Sequence, residues 1–184
     1  VLFDQICGSQ LRQYVICGNT GSLGSGQLKK LADLSKILPV LKDGIFLPDG
    51  DMAKVWKKTS TNMVPLPGEK RIETLVYQHL FGMKDADPFW NQCSTTYTRQ
   101  FAVTSQKGTS IEKGDDKDWV KDWYKKQSKH WGRGNKTVLK SWIQAHKGEC
   151  RVFCEKFIKL LRARYKGNIP QASIDKILGQ FQGS

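Results

Sequence analysis

Along the last third of the chain, large apolar side chains recur at intervals of three and four residues, and lysine and arginine fill the positions between them. That period belongs to an α-helix with one buried stripe and one solvated face. A strand would alternate at every second residue instead. Val152, Phe153, Phe157, Leu160, Leu161 and Tyr165 mark one stripe, with Arg151, Glu155, Lys159, Arg162 and Lys166 on its other side. Val138, Leu139, Trp142 and Ile143 mark a second. Ile174, Ile177, Leu178 and Phe181 mark a third, which Pro170 is placed to open.

The same period predicts helices over residues 27–38, through Leu28, Leu31, Leu34 and Leu38, and over 69–81, through Ile72, Leu75, Val76, His79 and Leu80. β signals are sparse. Residues 94–104 are rich in Thr, Tyr, Phe and Val, and 109–112 could pair back across Gln106-Lys107-Gly108, so a hairpin is expected there. The fold class expected is therefore mainly α, an α+β chain with a minor β-hairpin and basic C-terminal helices. Residues 1–104 read as a mixed helical and hairpin region, and 105–118 as a polar linker or exposed loop. Residues 119–184 read as a basic helical region sharing one core with the N-terminal part.

With 184 residues, six Trp, eight Phe and five Tyr, the chain has enough apolar side chain to bury a core. No apolar run approaches the roughly 18–20 residues of a membrane span. Val1 opens the chain without a signal-like pattern, which suits a processed product or an excised domain. Cys7, Cys17, Cys93, Cys150 and Cys154 are odd in number and irregularly spaced. That usage predicts reduced thiols and an intracellular setting (cytoplasm, nucleus or virion) in place of a disulfide framework.

Charge is the feature that points to a partner. Sixteen of the 30 Lys and Arg residues lie between positions 113 and 166, against six acidic ones, so ten units of the formal +13 charge sit in that stretch. Lys117, Lys121, Lys125 and Lys129 recur every four residues, one ridge with steps of about 6 Å along a helix. Arg133, Lys136 and Lys140 continue the charge, and Arg151, Lys159, Arg162 and Lys166 form a second ridge. Like charges at this density repel one another and are best matched by a polyanion that neutralises them. Trp119, Trp123, Tyr124, Trp131 and Trp142 are interleaved with them. Trp119 and Trp123 read as a core pair, whereas Trp131, beside a Gly-Arg-Gly break, is the expected exposed ring for stacking unpaired bases. A helix on either side of Gly148 also outlines a helix-turn-helix, with residues 149–166 as the entering helix.

Gly18-x-x-Gly21-x-x-Gly24 follows the β-like run Tyr14–Cys17 and precedes a helix, the layout of a dinucleotide-binding turn. The run resembles the GxxGxxG turn of extended short-chain dehydrogenases, a likeness that implies a nucleotide cofactor held by Gly18, Gly21 and Gly24. No alternating strands and helices follow, and no Tyr-x-x-x-Lys pair is present, so a glycine-rich connector is the simpler reading. Gly21-x-x-x-x-Gly26 likewise lacks the Lys and Ser/Thr of a P-loop, since Gln27 and Leu28 stand in their place.

Catalytic groups are scarce. His79, His130 and His146 are the histidines available for proton transfer near neutral pH, and His79 lies on an apolar helix face. His146, Cys150 and Cys154 recur every four residues and are the candidate metal ligands, but zinc needs a fourth. No cofactor and no metal are expected. The function expected is non-enzymatic, weakly sequence-specific binding of RNA or single-stranded nucleic acid, as a nucleoprotein or ribonucleoprotein subunit. Two alternatives remain: a matrix-like protein on an anionic membrane surface, and a nucleotide-binding enzyme using the residue 18–26 loop. Self-assembly is compatible with the first two.

Overall fold

The computed structural model describes residues 2–7, 10–11, 14, 25–34, 37–38, 42–53, 62–93, 96–104, 117–131, 134–164 and 167–182. Among them eight α-helices form and no sheet does. The chain divides into two compact units, residues 1–71 with 146–184, and residues 72–145. The linker expected at 105–118 lies outside the described residues as far as 116, and 117–118 already belong to a helix.

In the first unit α1 is Leu2–Cys7 and α2 is Ser25–Leu34. Its long helix, α7, is Lys147–Arg164, and α8 is Gln171–Gly179. Of the predicted stripe of α7, Phe153, Phe157 and Leu161 are buried, joined by Cys150, Cys154 and Ile158. Leu160 is half-buried, Val152 is exposed and Tyr165 lies outside the described residues. Phe3 of α1 meets Phe157 edge-on at 4.9 Å, and α8 closes on α7 through Ile174 and Ile177. The Gln180 side-chain amide donates to the Ile6 carbonyl, and Arg164 Nη1 donates to the Lys42 carbonyl at 2.6 Å.

Two extended stretches touch through a parallel bridge between Phe46 and Met63. Phe46 N donates to Asn62 O at 2.9 Å, and Val64 N donates to Phe46 O at 3.0 Å. The loop that follows needs Gly50: a Cβ there would lie 2.8 Å from both Glu69 N and Leu66 O, closer than side-chain carbons approach backbone. Asp51 and Arg71 pair at 3.2 Å beside it.

The second unit is built around α3, Ile72–Gly82, which packs against α4 (Arg99–Thr104), α5 (Lys117–Ser128) and α6 (Gly134–Ala145). Leu75, Val76, Tyr77 and Leu80 supply its buried face. Tyr77 receives the rings of Trp119 and Trp123 at 5.4 and 4.9 Å, both edge-on. His79 is half-buried in this interface, with Nε2 2.9 Å from Ser141 Oγ, tying α3 to α6.

The hairpin expected over 94–104 is corrected, because residues 99–104 are helical. Thr98 explains the change: its Oγ1 accepts the Phe101 N–H at 3.2 Å, an N-cap that satisfies one free donor of the first turn. Ala102 and Val103 are buried, and Trp123 Nε1 donates to the Ala102 carbonyl at 2.9 Å. Tertiary packing has overridden a modest β propensity. The helix-turn-helix also fails. Only His146 separates α6 from α7, and Gly148 lies inside α7, so the turn of three to four residues is missing.

Candidate nucleic-acid interface

α5 and the 3₁₀ turn that extends it, Lys129–Trp131, divide cleanly into two faces. Val120, Trp123, Gln127 and Trp131 are buried, with Trp119 and Tyr124 half-buried beside them. Lys121, Lys125, Lys126 and Lys129 are all exposed, as is the carboxylate of Asp122. Helix geometry produces this division: positions 121, 125 and 129 share one side because four residues is little more than one turn. The ion pairs among the described residues join Arg71 to Asp51, Arg99 to Asp85 and Arg151 to Glu155, and none engages these four lysines. Four exposed ammonium groups on a helix whose other face is locked in an aromatic core form a rigid cationic rail.

Trp131 does not stack bases. It is 0% exposed, packed against Trp123 at 6.1 Å and Tyr124 at 5.3 Å. Its Nε1 donates to Tyr97 Oη at 2.8 Å. Burial holds the Tyr97 hydroxyl well above the usual tyrosine range, while the bond from Trp131 pulls the other way, so Tyr97 is a neutral acceptor at physiological pH. Spacing accounts for the correction: Trp131 lies four residues past buried Gln127 and eight past buried Trp123, so it continues the buried side of α5.

Exposed aromatic rings occur elsewhere in this unit, at Phe81 and Phe101, where the sequence reading placed none. The one local signal was Thr98, the cap residue that turns 99–104 into a helix and leaves Phe101 on its outer side.

The remaining cations divide between the two units. Lys140 is exposed on α6. On α7 of the other unit, Lys159 and Arg162 are exposed, with Arg162 Nη2 donating to Gln171 Oε1 at 2.7 Å. Arg151 is paired with Glu155 at 3.0 Å, so its charge is partly offset within α7. Lys156, unnoticed in the sequence, joins Lys159 on the rim of an open groove of about 310 Å³ floored by Met63, Val64, Pro65, Leu160 and Ala163. Arg133, Lys166 and the Lys136 side chain lie outside the described residues, as do Gly18, Gly21 and Gly24.

Among the described residues no group of three His, Cys, Asp or Glu side chains converges to hold a metal ion. Cys150 and Cys154 are buried in the α7 stripe. Burial, reinforced by Cys154 and Glu149, pushes the Cys150 thiol up to about 12, so it is protonated at neutral pH. No helix among the described residues is long and apolar enough to cross a membrane. Comparison with protein families, with curated proteins and with solved structures finds no match.

Proposed function

We propose that this chain is a non-enzymatic binder of RNA or single-stranded nucleic acid with little sequence preference, acting as a nucleoprotein or ribonucleoprotein subunit. The observation that carries the reading is the α5 rail: Lys121, Lys125, Lys126 and Lys129 exposed and unpaired, on a helix whose opposite side is anchored by Trp123 and Trp131. A pre-positioned row of charges releases counterions from a phosphate chain without first ordering itself. Free thiols at Cys93, Cys150 and Cys154 support a reducing, intracellular setting.

The test is a salt titration. Replacing Lys121, Lys125 and Lys129 by Glu removes three phosphate contacts. The slope of log K against log salt for single-stranded RNA then becomes shallower by about 2, from about 0.7 per contact. An unchanged slope and affinity would remove the rail from the interface.

A second reading, adsorption to an anionic membrane surface, is favoured by the other unit. There Leu34, Ile37 and Leu38 are exposed, Ile37 at 76%, and Lys156 and Lys159 flank an apolar groove. Co-sedimentation with anionic vesicles that RNA does not displace would favour it over the first.

A further inference from the structure

We infer that Phe101 is the base-stacking platform of this protein, and that it selects unpaired bases over duplex. The inference rests on the nucleic-acid reading of α5 and names what that rail delivers to the protein.

Among the described residues two exposed rings compete for the role. Phe81 is the more exposed, at 54%, but Tyr77 is stacked on it at 6.1 Å and 16°, and the Arg99 guanidinium lies 5.7 Å over its ring. A ring and a guanidinium thus already lie against it. Phe101 is 48% exposed, and its aromatic neighbours among the described residues meet it edge to face. Tyr97 lies at 5.8 Å and 66°, His130 at 5.7 Å and 76°. No ring is stacked parallel to Phe101 among the described residues, and the exposed half of the side chain leaves room for a base.

Position supports the choice. His130 directly follows Lys129, the last lysine of the rail, so contact with His130 brings Phe101 to the rail's end. A strand whose phosphates run along Lys121, Lys125 and Lys129 arrives beside this ring.

Rigidity supports it as well. His130 lies flat on Tyr97 at 5.2 Å and 12°, Tyr97 is buried, and Trp131 donates to the Tyr97 hydroxyl. The platform is thus held in place by the core before any ligand binds, which reduces the ordering cost of binding. Bases in a duplex are already stacked on one another and present no free face, whereas every unpaired base does, which makes the site tolerant of sequence.

The experiment uses the full chain and four variants: Phe101→Ala, Phe101→Leu, Phe101→Trp, and the triple Lys121→Glu, Lys125→Glu, Lys129→Glu. Affinities are measured by fluorescence anisotropy for single-stranded oligoadenylate RNA, a fully paired RNA duplex, and heparin, a polyanion without bases. Expected for Phe101→Ala is a loss of about 5- to 150-fold on the single strand, the range for removing one base-stacking ring. Heparin affinity should stay within about twofold, and the salt slope should not change, since no charge is removed. Phe101→Leu keeps the apolar volume without the π face and should behave like Ala, while Phe101→Trp should restore binding.

Three results would overturn the inference. One is wild-type affinity of Phe101→Ala for the single strand while the lysine triple loses both RNA and heparin; the rail then stands and the platform falls. Another is an equal loss of RNA and heparin in the Phe101→Leu variant, which marks a structural role. The third is full RNA binding by the lysine triple, which removes the rail from the interface and with it the argument that brings a strand to Phe101.

Discussion

Replacing Trp131 by Phe tests whether this ring is a core anchor or a ligand contact. The substitution deletes the Nε1–H that reaches Tyr97 Oη at 2.8 Å and part of the surface packed on Trp123 and Tyr124. Tyr97 is itself only 2% exposed, so its hydroxyl cannot turn to water for a replacement partner. An orphaned buried polar group costs ~1–3 kcal/mol. The smaller ring leaves a void worth about 1 kcal/mol more. Destabilisation of about 2–4 kcal/mol is therefore expected.

Tryptophan fluorescence during urea unfolding reads the right part of the molecule. Trp90, Trp119, Trp123, Trp131 and Trp142, five of the six, lie within residues 72–145. With a urea slope of ~1–3 kcal/mol/M, the midpoint should fall by about 1–2 M. The hydrogen bond itself is isolated by adding Tyr97→Phe and the double variant, where a coupling of about 1 kcal/mol is expected. RNA affinity of the folded Trp131→Phe protein should stay within about twofold of wild type, since no base reaches a fully buried ring. The reasoning is refuted if stability changes by less than about 0.5 kcal/mol, the range of an ordinary surface substitution. It is equally refuted if a stable variant loses RNA binding.

Two further outcomes follow from the geometry. Thr98→Ala removes the cap on the first turn of α4 and should cost about 1 kcal/mol in the same urea assay, with Thr98→Ser restoring most of it. The alkaline limb should also respond to Cys150. Its thiol rises from 9.0 to about 12 on folding, so the stability linked to it is complete below pH 9 and is lost as pH climbs from 9 toward 12. Urea midpoints compared across that window should decline less in Cys150→Ala than in wild type, and an identical decline would contradict the assignment.

The clearest agreements between sequence and structure are the ones that one helix can produce by itself. Lys121, Lys125 and Lys129 share a side because they are four residues apart, and the α7 stripe is buried because its apolar residues recur at helical spacing. Neither result depends on what the helix packs against. Trp131 shows the limit of reading a break in isolation: the Gly-Arg-Gly that follows it suggested an exposed ring, yet it lies four residues past buried Gln127 and faces inward with it. Residues 99–104 show the same limit from another direction. Their Thr, Phe and Val suit a strand about as well as a helix, and the decision came from the Thr98 cap and from Trp123 bonding the Ala102 carbonyl twenty-one residues away in sequence.

Helical class, the cationic surplus and its placement on α5 were thus determined by local periodicity, which is written in neighbouring residues. The tertiary structure decided that residues 99–104 form a helix with Ala102 and Val103 inside and Phe101 outside. It also decided that Lys121 and Lys159 belong to different compact units. Both outcomes depend on contacts between residues far apart in the chain. Those contacts form only when the segments meet, and no short window of sequence contains the partners.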